Sequence, residues 1–169
     1  MRRQFRMAVA TFSILPVLAA TPVSAAVDVG QPAPALVVPE VGGGTFDLSA
    51  QRGKVVILNL WATWCPPCRQ EIPVLDAFYR GHRDRGVELL GLSMDRGRDR
   101  DAVKKVQSSV SYPIALAADA KTNGFGSWRV LPVTYVVDAT GIVRALILPE
   151  KTSLTDRRLE ELVLPLLSP

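Results

Sequence analysis

The stretch "VVILNLW", residues 55–61, narrows the fold more than any other part of the chain. It is uncharged, all but one of its residues is apolar, and it lies between Gly53-Lys54 and "ATWCPPC". A strand with one wet face alternates apolar and polar residues, so an unbroken run of this length needs cover on both faces. It therefore predicts a central strand of a layered α/β domain. "VELLGLSMD" (87–95) repeats the pattern and predicts a second buried strand.

Helical spacing follows each strand. Ile72, Leu75, Phe78 and Tyr79 predict a helix over 66–79, and "RDRDAVKKVQSSV" predicts a short polar helix over 98–110. "YPIALAAD" allows a brief strand, and "KTNGFGSW" reads as loop or a turn of helix. "VTYVVD" and "IVRALIL" predict two strands joined through Asp138-Ala139-Thr140-Gly141, a hairpin-type turn. Leu159, Leu162, Val163 and Leu166 predict a closing helix. Ahead of all this, residues 36–38 and 46–48 predict a small hairpin turned by Gly42-Gly43-Gly44. This order of elements implies one α/β domain over residues 27–169, with a mixed sheet between helices.

The first 26 residues read as an export signal. A basic "MRRQFR" precedes an apolar run, 7–20, and small residues before Val27 offer a cleavage site. The run holds Pro16 and is too short for a hydrocarbon core that needs roughly 20 residues. The expectation is a periplasmic or other extracytoplasmic protein without stable membrane insertion after cleavage; an uncleaved N-terminal anchor is the alternative. The net charge of +4 traces largely to this segment, because the remainder carries 17 basic and 16 acidic side chains. That balance gives no support for binding nucleic acid.

Cys65 and Cys68 are the chain's two cysteines. Three uses are open to them: a structural clip, half of a metal site, or a reagent that turns over. As a clip they do little, since closing so short a loop removes only about 2 kcal/mol of unfolded-chain entropy. For a metal, two thiolates are half a zinc set, and the lone histidine, His82, stands in the polar "RGHRDRG". Turnover chemistry fits better. A strand-to-helix junction sets Cys65 at a helix N-terminus, where free N–H groups and the helix dipole favour a thiolate. Cys68, one turn along, is near enough to close a ring and is expected to be the shielded partner. Pro66 and Pro67 withdraw two N–H donors from that turn, which weakens its pull on Cys65.

"NLWATWCPPCRQEIP", with "LPVTYVVDATGIV" about 60 residues later, resembles the thioredoxin superfamily, and within it the exported TlpA-like/ResA-like thiol-disulfide oxidoreductases. The resemblance covers essentially all of residues 30–169. It implies a thioredoxin-like fold: a mixed central β-sheet flanked by helices, here with an N-terminal β-hairpin extension. It assigns Cys65 as the attacking thiol, Cys68 as the resolving thiol, and a redox disulfide between them. Pro132 becomes the cis-proline facing that disulfide, and Leu131 the residue whose backbone pairs with a substrate peptide. Trp64 and Pro66 belong to the substrate-binding surface, with Trp61 the other tryptophan before the motif. Pro73 matches the proline inside the first helix. Glu71 matches a glutamate that assists proton exchange around Cys68, with an ordinary solvated helix acid as the plainer reading. Asn59 stands where cytosolic thioredoxins place a buried aspartate.

Two departures bear on the partner. Relatives often have glycine shortly before the cis-proline, where this chain reads "WRVLPVT", so a bulkier client-facing loop is expected. Val133 replaces an acid found beside that proline in some cytochrome-maturation members. The reading that follows is an exported disulfide reductase acting on protein clients, such as cytochrome c or copper-centre assembly factors. Its electrons come from a membrane donor of the DsbD/CcdA type, and no metal or other cofactor is expected. A copper-binding assembly chaperone and a thiol peroxidase are the alternatives. The first lacks a suitable distant histidine, and the second lacks the threonine that peroxidases place where Ala62 stands. "MDRGRDRDAVKK" alternates acids with bases and reads as a solvated loop and helix start.

Overall fold

A computed structural model describes residues 27–149 and 154–167. The export-signal reading of residues 1–26 falls outside the described residues. In chain order the elements are β1 (Leu36–Pro39), β2 (Thr45–Asp47), β3 (Val55–Trp61), α1 (Pro66–His82), β4 (Val87–Ser93) and α2 (Arg100–Gln107). Then come β5 (Ile114–Leu116), β6 (Thr122–Asn123), β7 (Val133–Val137), β8 (Val143–Ile147) and α3 (Asp156–Val163). The principal sheet runs β5-β4-β3-β7-β8, parallel across β5, β4 and β3 and antiparallel from β3 through β7 to β8. A second sheet, β2-β1-β6, is wholly antiparallel.

Strand β3 is central and buried along its whole length, as its unbroken apolar run requires. Its side chains alternate between two cores. Val55, Ile57 and Trp61 join Leu75 and Phe78 of α1, Val103 of α2, and Leu159 and Val163 of α3. Val56, Leu58 and Leu60 pack with Leu36, Val38 and Phe46 of the small sheet. The fold is thus a mixed α/β sheet flanked by helices, with the hairpin extension closing the other face. Trp61 has room because the neighbouring strand β4 carries Gly91. A Cβ at Gly91 would stand 3.1 Å from both the Trp61 Nε1 and the Tyr112 Cε2.

Three local differences from expectation have physical causes. Thr122–Asn123, read as loop, forms the short strand β6, because the edge of β1 offers unpaired backbone groups at Leu36 and Val37. α1 runs three residues past Tyr79, its last turn held by Phe78 stacking on His82 with ring centroids 4.2 Å apart. α2 is shorter than expected, with Gly97–Asp99 forming a separate 3-10 turn before it.

Candidate active site

Chain direction brings three segments to one end of the principal sheet. Trp61, the last residue of β3, is level with Ser93 at the end of parallel β4. Antiparallel β7 starts there too, with Val133 opposite Leu60. Residues 62–71, 93–96 and 127–132 therefore share an edge, and both cysteines and Pro132 lie on it.

Cys65 is the N-cap of α1, with prolines at the first two helical positions. Those prolines leave the Cys68 N–H as the first backbone donor of the helix, and it donates to the Cys65 Sγ at 3.3 Å. The two sulfurs are joined in a disulfide, with Cα atoms 5.3 Å apart. Cys65 is 4% exposed and Cys68 1%, so Cys65 is the slightly more open of two shielded sulfurs. Pro66 is exposed beside them. The tryptophans divide: Trp61 is buried in the core, while Trp64 is 66% exposed.

The peptide bond between Leu131 and Pro132 is cis, as the resemblance implied. Pro132 and Val133 are buried, Leu131 is half-buried, and Val130 is 47% exposed. An apolar side chain, Val130, is thus exposed two residues before the cis-proline. Next to this loop Ser127, Trp128, Arg129, Val130, Leu148 and Pro149 line a mainly apolar cavity of about 300 Å³. Behind the strands, the Asn59 Nδ2 donates to the Thr134 Oγ1 at 2.9 Å, tying β3 to β7 inside the core.

Glu71 is buried, on the face of α1 that also carries Cys68 and Leu75. Its Oε1 accepts from the Leu154 N–H at 3.3 Å, and its Oε2 has no hydrogen-bond partner. Burial pushes the Glu71 carboxyl above the ordinary glutamate value, and the bond from Leu154 offsets only part of that push. The solvated-acid reading of this residue does not describe it.

The sequence places Asp95 both at the end of the buried strand predicted over 87–95 and in an alternating charge run that reads as solvated; β4 ends at Ser93, and Asp95 beyond it is not solvated. It is 2% exposed. Its carboxyl group accepts from the Thr63 N–H at 2.8 Å, the Thr63 Oγ1 at 2.7 Å and the Ser93 Oγ at 2.7 Å. It pins the turn that presents Trp64 and Cys65. The available signal was position: an acid closing the apolar run 87–95, two residues past the end of β4 and at the end where the cysteines lie.

His82 sits at the far terminus of α1 from the cysteines, its Nδ1 2.9 Å from the Phe78 carbonyl oxygen. Among the described residues no three His, Cys, Asp or Glu side chains are grouped as a metal site. No described helix is long and apolar enough to cross a membrane.

Comparison with known proteins agrees with this geometry. A model of the AhpC/TSA family matches residues 29–146. The thiol-disulfide oxidoreductase ResA of a Bacillus cereus strain is 34% identical over 126 residues, spanning 73% of this chain and 72% of that protein. A thioredoxin-family thiol:disulfide interchange protein from Chlorobium tepidum TLS superposes with a TM-score of 0.67 at 26% identity, over 85% of this chain and all of that one. A secreted thiol-disulfide isomerase from Corynebacterium glutamicum gives a TM-score of 0.64 at 26% identity, over 79% of this chain and 84% of its own.

Proposed function

Because the chain belongs to the AhpC/TSA family of thioredoxin-like proteins, and is within it a thiol-disulfide oxidoreductase of the ResA type, we propose that it reduces protein disulfides outside the cytoplasm. Residues 1–26 serve as the export signal, and 27–169 as the working domain. The Cys65 thiolate attacks one sulfur of a client disulfide, forming a mixed disulfide and releasing the other client sulfur as a thiolate, which takes up a proton. Cys68 loses its proton and attacks the Cys65 sulfur, expelling the second client sulfur. The client gains two electrons and two protons, and the protein ends with the Cys65–Cys68 disulfide.

One observation carries this reading: the Cys68 N–H, first donor of α1, is directed at the Cys65 Sγ. In the dithiol form the same N–H is placed to stabilise negative charge on the attacking sulfur, and it remains although the two prolines have removed the donors before it. Glu71 serves as the group that exchanges the Cys68 proton, its raised pKa bringing it nearer the pH at which a thiol must be deprotonated. Pro132 and Leu131 hold the client backbone, with Trp64 and Pro66 beside it. Client proteins include cytochrome c or copper-centre assembly factors, and a membrane donor of the DsbD/CcdA type returns the pair to the dithiol.

The test is a Cys68→Ala variant, which leaves the mixed disulfide unresolved. Expressed in cells, it is expected to retain a small set of exported proteins, released by reductant. Random capture of abundant proteins refutes the client-specific reading. A reduction potential near about −120 mV, the value of a strong oxidant, refutes the reductase direction.

A further inference from the structure

The charges around the cysteine pair are segregated by burial. Within 62–71, 93–96 and 127–132 there are two acids, Glu71 and Asp95, and both are buried. Every exposed charge in those segments is an arginine: Arg69, Arg96 and Arg129. Just beyond them Arg98 is held 3.8 Å from Asp99. The side chains of Arg69, Arg96 and Arg129 make no ion pair among the described residues, although the domain as a whole is nearly neutral. Exposed apolar side chains accompany them: Trp64 before Cys65, and Val130, which lines the cavity and precedes Leu131-Pro132.

Topology orders these features along a line. Across the sheet end, Arg96 follows β4, the cysteine motif follows β3, Pro132 precedes β7, and the cavity takes in Leu148 beyond β8. From the cysteine motif, one inter-strand spacing of about 4.8 Å leads to Arg96 on the β4 side and one to the Arg129–Pro132 loop on the β7 side, between one and two residues of extended chain each way, and the cavity beside β8 lies about one spacing further. We propose that this strip receives a client segment of defined chemistry: an extended stretch around the reacting cysteine, with acidic side chains about two residues to either side and one apolar side chain that enters the cavity beside Val130. Arg96 meets the acid on one flank and Arg129 the acid on the other, while Arg69 faces charge near Cys68. Complementary rim charges favour such segments at encounter and disfavour basic ones. This rests on the reductase reading above and adds the class of client to it.

Peptide probes test it with the full chain. Two disulfide-linked peptide dimers, each with leucine beside the cysteine, differ only in carrying Asp or Lys two residues to either side. At low ionic strength the reduced protein is expected to reduce the Asp peptide about tenfold faster than the Lys peptide, at about threefold per rim charge. The gap closes in about 1 M salt, where the Debye length is about 3 Å. An Arg96→Glu/Arg129→Glu variant is expected to invert the preference, which also shows that it is folded and active. Val130→Asp is expected to slow both peptides. Equal rates for the two peptides at low salt overturn the docking inference and leave the reductase reading standing. Reduction of neither peptide by a protein whose two thiols titrate normally overturns the reductase reading itself. A dimer in solution that Val130→Asp dissociates assigns the strip to a second copy of the chain, and likewise overturns the inference.

Discussion

At one end of β7 the chain turns through Asp138-Ala139-Thr140-Gly141 into β8; at the other it arrives through Leu131 and Pro132 beside the cysteines. Both ends hold buried carboxyl groups, and they are treated differently. Asp138 accepts from the Thr140 N–H, the Thr140 Oγ1, the Ile142 N–H and the Arg144 guanidinium. Burial pushes its pKa up, but these bonds outweigh it and hold the group far below the ordinary aspartate range. Gly141 completes the turn at φ +85°, where a Cβ would also collide with the Arg52 guanidinium. Among the described residues, no buried side-chain atom of this turn lacks a hydrogen-bond partner. At the cysteine end, Glu71 keeps an oxygen without a partner and Trp64 and Val130 stay exposed. A saturated end supplies stability, whereas an unsaturated one retains groups for a reacting partner.

The largest effect is expected at the saturated end. Asp138→Ala strands two backbone N–H groups and unpairs Arg144, at a cost of about 3 kcal/mol at neutral pH. Asp138 has a depressed folded pKa, so its ionised form adds stability above the unfolded value near 3.8 and loses it as pH falls through the folded one. The difference between the parent and the variant is therefore expected to shrink on acidification below about pH 4. Urea midpoints at neutral and acid pH read this directly. Client reduction by the folded variant is expected to stay within about twofold of the parent, given the separation from the cysteines. A large loss of turnover without unfolding breaks the division between the two ends.

Asp95 lies between these extremes and sharpens the comparison. It is saturated like Asp138, yet it works at the reactive end, through the Thr63 turn. Asp95→Ala is expected to cost about 2 kcal/mol by stranding the Thr63 N–H and the Ser93 hydroxyl. It should also shift the reduction potential of the cysteine pair, because the turn that presents Cys65 loosens. Asp95→Asn keeps an acceptor for the Thr63 N–H and is expected to recover much of both. If stability falls and the potential is unmoved, Asp95 belongs with Asp138 as a stabilising group only.

What the sequence disclosed follows the same division. β3 and β4 were legible because double burial leaves an unbroken apolar run, and α1 because its buried face repeats at helical spacing. The cysteine motif and the later Leu131-Pro132 were legible as local patterns. Asp95 was not, since its partners are Thr63 and Ser93: a single residue type in an alternating run carries no sign of which neighbours fold over it. The cover for Glu71 comes from Leu154, 83 positions away, so its burial depends on a contact that helical periodicity cannot register. β6 was missed for the same reason: two residues acquire strand geometry only because β1 offers an edge.

Glu71→Gln gives the smallest expected change in stability, and its sign is opposite to the other two. Glu71 has a raised folded pKa, so burial favours its protonated form. Below the ordinary value near 4.5 the acid is neutral in both folded and unfolded chains, and glutamine, of nearly the same shape, should differ little from it. As pH rises from there through the folded pKa, the unfolded chain gives up its proton more readily than the folded one, and the parent loses stability that glutamine does not. The variant is therefore expected to be more stable at neutral pH, by about 0.5 to 1 kcal/mol, with the difference vanishing at acid pH. Its client reduction should slow, and the acid limb of the pH–rate profile should flatten, since glutamine cannot take the Cys68 proton. A variant that is stabilised at neutral pH but reduces clients with an unchanged pH profile would leave the unpaired oxygen without a chemical role, and the contrast with Asp138 would then be one of packing alone.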